Sequence, residues 1–186
     1  MTAAGARYVA WLPRARLALL IVAVVVLQTT VFSTGLRVFG VMPDLGLLLT
    51  VAVAFSLGPE RGAVFGFVTG LAVDLFLSTP LGLSALSFAL VGYATGIVQG
   101  GLLRPSRWEA PMMGALGGLA GGVLFVVIGA LAGREELLSL TSVRVIIIAA
   151  VYDALLACAV FPIARWATGT RREDLRGAPG YPSIHR

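Results

Sequence analysis

Three aspartates lie in or at the edges of strongly apolar stretches of this chain: Asp44, Asp74 and Asp153. An aspartate at the centre of a bilayer costs about 2.5–3.5 kcal/mol on insertion scales, so each of the three needs a reason. The chemistry open to them is a proton relay, an ion site, a polar contact to a partner, or hydrogen bonds that pin neighbouring helices. Asp74 is set apart by its neighbours. In RGAVFGFVTGLAVDLF (61–76), Gly62, Gly66 and Gly70 recur every four residues and Asp74 is the next step. On a helix these four share one face. A face of that kind touches protein, and the close approach of another backbone supplies donors for the carboxylate.

The other reactive side chains exclude more than they offer. Cys158 is the single cysteine and lies in an apolar run, so neither a disulfide framework nor a thiolate metal site can be built. His185 is the single histidine and lies in a polar tail, which excludes His-rich metal catalysis. An intramembrane protease needs paired residues such as Ser–His or two opposed aspartates. Asp74 and Asp153 are expected at different depths, and no G-x-G-D-type flank is present. The expectation is a protein that is not an enzyme, with no cofactor and no metal.

The elements that must position these residues follow from composition. Of 186 residues, 58% are hydrophobic and 12% charged, with a mean hydropathy of +0.94. A soluble domain carries about twice that charged fraction. The chain therefore reads as an integral, multi-pass membrane protein. It is all-α, with six transmembrane helices expected near 17–33, 41–57, 61–77, 81–103, 111–132 and 143–167. A short arm (1–16) precedes the transmembrane domain (17–167), and a polar, Arg-rich tail (168–186) expected to be disordered follows it. The first apolar run is followed by Gln28, Thr29 and Thr30, which is not a small-residue cleavage site.

The net charge is +5, and all fourteen basic residues are arginine. They flank apolar stretches, which points to topology and lipid headgroups and away from nucleic acid. Six spans put both termini on one side. If that side is the cytoplasm, eleven arginines fall inside and three (Arg37, Arg134 and Arg144) outside. Trp11, Trp108 and Trp166 then share the inner interface, and both termini are cytoplasmic.

This topology gives the carboxylates depths. Pro43 is expected in the first turn of span two, with Asp44 beside it at the positive end of the helix dipole. Asp74 lies roughly 20 Å past Arg61, toward the outer end. Arg144 opens span six on that side, so a cluster of Asp44, Asp74 and Arg144 is geometrically feasible. Asp153 lies roughly 14 Å below Arg144, near the midplane. Two further glycine ladders, Gly92/Gly96/Gly100 and Gly114/Gly118/Gly122, allow close helix packing. They serve either the bundle itself, a partner's helix, or a second copy in a homodimer.

Two segments carry a resemblance. MPDLGLLLTVAVAF (42–55) looks like the proline–aspartate opening of the second span in the bacterial rod shape-determining MreD family. GFVTGLAVDLFLSTPLGLSAL (66–86) resembles that family's G-xxx-G-xxx-D-L, short polar turn, P-L-G-L signature. The pattern lands on Pro43, Asp44, Gly70, Asp74, Pro80, Leu81 and Gly82, none of them catalytic. The resemblance implies a fold similar to the S components of vitamin transporters. It also implies an inner-membrane scaffold of the cell-elongation complex that supports lateral peptidoglycan synthesis. Its implied partner is an MreC-like single-span protein, linked to MreB filaments, a SEDS glycosyltransferase and a penicillin-binding transpeptidase. The alternative is a substrate-binding, S-component-like subunit of a small-molecule transporter.

Overall fold

The computed structural model describes residues 15–28, 30, 41–76, 81–101 and 108–169. Among these are six α-helices: α1 (Ala15–Gln28), α2 (Leu45–Leu57), α3 (Pro59–Phe76), α4 (Leu83–Gly101), α5 (Glu109–Leu131) and α6 (Leu140–Thr168). A short 3-10 turn, Glu135–Leu137, joins α5 to α6. Most of the arm, all of the tail beyond Gly169, and Pro80 lie outside the described residues.

Helix boundaries follow local chemistry. Gly58, at φ 87°, breaks the chain after α2, and Pro59 opens α3, where its missing N–H has no helical partner to lose. Ser139 caps α6 by accepting from the Ser142 N–H at 3.3 Å, and Gly169 ends it in the left-handed region at φ 71°. Asp44 precedes the first residue of α2 and caps it, so Pro43 lies outside the helix, not in its first turn.

Among the described residues, α4, α5 and α6 are the helices both long and apolar enough to cross a membrane alone. The other three helices fall short of that measure, each for its own reason. α2 has 13 residues, about 20 Å of helix against a hydrocarbon core of about 30 Å. The described part of α1 covers Ala15–Gln28. α3 has 18 residues but carries Glu60, Arg61 and Asp74. Short α2 is the centre of the bundle. Every residue from Leu45 to Phe55 is buried, and it packs against α3, α4, α5 and α6. A helix apolar all round and covered all round needs no polar face.

Around this core the glycine ladders bring backbones together. The Gly62–Gly66–Gly70 stripe of α3 lies on α4. A Cβ at Gly70 would stand 2.5 Å from the Ser84 carbonyl oxygen, and one at Gly66 would strike the Phe88 carbonyl. Gly114 and Gly118 of α5 face α6, whereas Gly117 and Gly121 admit Val51 and Leu47 of α2. Van der Waals packing of this kind holds helices together where lipid removes the hydrophobic drive. The buried hydroxyls of Thr50, Thr69 and Ser87 donate to carbonyls one turn back, at 2.8–2.9 Å, and so need no outside partner.

Candidate functional site

The carboxylates lie where α3 ends and where α2 and α4 begin, with Asp153 reaching this level from mid-α6. Asp44 is half-buried. Its Oδ1 accepts from the Leu47 N–H at 3.0 Å and from the Gln28 side-chain amide at 3.4 Å. It thereby caps α2 and ties the end of α1 to it.

Asp74, near the end of α3, is 2% exposed. Its Oδ2 accepts from the backbone N–H groups of Gly82 (2.9 Å), Ser84 (3.1 Å) and Ala85 (3.3 Å). Its Oδ1 lies 3.3 Å from the Ser84 nitrogen. The first N–H groups of a helix have no partner within it and form the positive end of its dipole. Asp74 fills that role for α4 from a neighbouring helix. Gly82, at φ 98°, supplies the turn that aims these donors.

Asp153 sits in mid-α6 at 1% exposure. It lies against the backbone of Asp44, and the two carboxyls are within electrostatic reach. Glycines of α5 make room for it: a Cβ at Gly118 would stand 2.5 Å from Asp153 Oδ2, and one at Gly114 2.6 Å from its carbonyl oxygen. Asp153 Oδ1 is buried and has no hydrogen-bond partner, and so is Gln28 Oε1.

Both atoms belong to residues on the wall of one cavity of about 320 Å³ between α2, α4, α5 and α6. Gln28, Asp44 and Asp153 contribute to its polar part, with Ser84, Thr141 and Ser142; Leu47, Phe88, Phe125 and Ile146 contribute to its apolar part.

Two sequence expectations change here. Arg144 is exposed on α6 and does not line the cavity, so the structure does not join it to Asp44 and Asp74. Asp153, expected below the other carboxylates, stands beside Asp44. Residue counting along the sequence treats all helices as starting level. Asp153 lies midway along α6 and Asp44 immediately precedes α2, and both line one cavity, so the first turns of α6 overhang the start of α2. Gln28 was missed as a site residue; its one signal is an amide at the end of an apolar run. No group of three or more His, Cys, Asp or Glu residues able to hold a metal occurs among the described residues.

The geometry thus shows a helix bundle closed by carboxylate caps, with the two quoted motifs at the closure. The family model of the rod shape-determining protein MreD matches residues 11–166, a stretch that contains both motifs. The chain belongs to the MreD family. That membership places it in rod-shape determination, and with three long apolar helices it is a membrane protein. No curated protein and no solved structure matches the chain.

Proposed function

We propose that this chain is a non-enzymatic scaffold in the inner membrane, binding an MreC-like single-span partner within the cell-elongation complex. Through that partner it would support lateral peptidoglycan synthesis alongside MreB filaments, a SEDS glycosyltransferase and a penicillin-binding transpeptidase. The observation that carries the reading is the family match over most of the chain. In this reading the helices form a six-pass bundle with both termini in the cytoplasm. The arginine distribution favours that orientation. The Arg16 guanidinium, 4.8 Å from the centre of the Trp166 ring, pairs the start of α1 with the end of α6 and supports both termini lying on the same side.

The glycine faces of α3 and α5 are occupied within the bundle, so the partner's helix uses another surface. The best candidate is a groove between α1 and α3. Ile21, Val64, Phe65 and Val68 line it, with Glu60 and Arg61 at one end. An apolar trough with a charged end suits a single transmembrane helix that carries polar residues at its membrane boundary. Purification in mild detergent from native membranes tests the reading. A single-span protein with a large outer domain should accompany the chain; an ATPase-linked coupling protein in its place would overturn it.

The cavity beside Asp153 favours a second reading, a small-molecule subunit of the S-component type. Its apolar wall and few polar groups are the usual makeup of ligand pockets. A transported ligand and a coupling protein would have to be found together for this reading to displace the first.

A further inference from the structure

We propose that the cavity beside Asp153 binds a small organic cation, with an ammonium head between Asp153 and Asp44 and an apolar body along Phe88, Phe125 and Ile146. The inference stands apart from the scaffold reading, because it concerns a different surface and needs no partner protein.

The first support is an unmet demand for donors. Asp153 is 1% exposed, yet its Oδ1 has no hydrogen-bond partner. Gln28 Oε1 is buried and equally unpartnered. Both residues line the same cavity. Buried polar atoms in folded proteins nearly always find partners, so two orphaned acceptors on one wall mark a place where a donor belongs. Turning the Gln28 amide does not remove the demand, because its nitrogen is the group that reaches Asp44 Oδ1.

The second support is charge. Asp44 and Asp153 bring two carboxyls to this wall, and no basic side chain is among the described residues that line it. A cation would offset their repulsion. An ammonium carries three N–H donors in a compact head, which matches acceptors arriving from α1, α6 and the α2 cap.

The third support is selectivity. A multivalent metal such as calcium takes six or more oxygen ligands, and the described residues offer no cluster of that kind. Apart from Ser84, Thr141 and Ser142 the rest of the wall is apolar, and about 320 Å³ lies at the small end of organic-ligand pockets. A lipid headgroup with an ammonium also brings a phosphate, for which the described residues of this wall offer no cationic partner. A free amine with a hydrocarbon body fits on both counts.

The test uses the full chain in phosphatidylcholine nanodiscs with hexylammonium chloride as the probe. 1-Hexanol and sodium hexanoate serve as size-matched controls. The expected result is a saturable rise in the thermal unfolding midpoint with hexylammonium alone, lost in Asp153→Asn. If that variant does not fold, Asp44→Asn keeps the helix cap and should weaken hexylammonium binding at least tenfold. An equal response to 1-hexanol, no response to hexylammonium, or an undiminished response in the variants would overturn the proposal. Repeating the titration in phosphatidylethanolamine nanodiscs should leave the response unchanged. Loss of the response there would assign the site to a lipid headgroup and overturn the free-amine proposal.

Discussion

Asp74 of α3 accepts a hydrogen bond from the backbone N–H of Gly82 at 2.9 Å, and with Ser84 and Ala85 it closes the open end of α4. One buried side chain thus joins two helices whose backbones already touch along the Gly62–Gly66–Gly70 stripe. This is why a carboxylate follows a glycine ladder. The glycines let α4 approach, and the first turn of α4 then presents its unpaired donors to the next position on that face.

Replacing Asp74 tests this joint. Asp74→Ala leaves several buried N–H groups without an acceptor, at about 1–3 kcal/mol for each group left unmet. Asp74→Asn keeps one oxygen and should fall between the wild type and Asp74→Ala. Thermal unfolding of the purified variants gives the order. Equal stability of Asp74→Ala and wild type would show that water or another group replaces the cap.

Close packing along the same stripe predicts a contrast between glycines. Gly66→Ala would put a methyl group against the Phe88 carbonyl, so α3 and α4 must separate; overpacking of this kind costs about 1–3 kcal/mol. Gly100→Ala meets nothing within 4 Å and should be neutral. Unfolding midpoints of the two variants, measured side by side, decide the matter.

Gly82 makes a different demand. Nothing stands within 4 Å of a Cβ there, but its φ is 98°. Gly82→Ala should therefore lower stability by about 1–2 kcal/mol through backbone strain alone. If Gly82→Ala melts with the wild type, the turn has another conformation available.

The contact between Gly118 and Asp153 predicts coupling. Gly118→Ala places a methyl group 2.5 Å from Asp153 Oδ2 and should destabilise the bundle. In an Asp153→Ala background the penalty should shrink, because the obstructing oxygen is gone. A double-mutant cycle on unfolding free energies reads this directly, and additive effects would contradict the packing described.

Some of this arrangement was legible in the sequence. The break at Gly58-Pro59 announces itself through residue types with restricted or special backbone behaviour. The spacing of Gly62, Gly66, Gly70 and Asp74 fixes one face of α3. Hydropathy, by contrast, does not separate a helix facing lipid from one enclosed by other helices. α2 therefore reads as one span among several, whereas the structure makes it the short core of the bundle. Relative helix height is equally silent in sequence. The meeting of Asp153 with Asp44, and the exclusion of Arg144 from the carboxylates, both follow from the overhang of α6 past the start of α2.

The central claim is that the chain holds a single-span partner in the groove between α1 and α3. Photo-crosslinking amino acids placed in living cells at Val64 and Val68, with Val123 on the exposed face of α5 as the control, test it most directly. The account predicts an adduct with one single-span membrane protein at Val64 and Val68 and none at Val123. Adducts of equal yield at all three positions, or at Val123 alone, would contradict it.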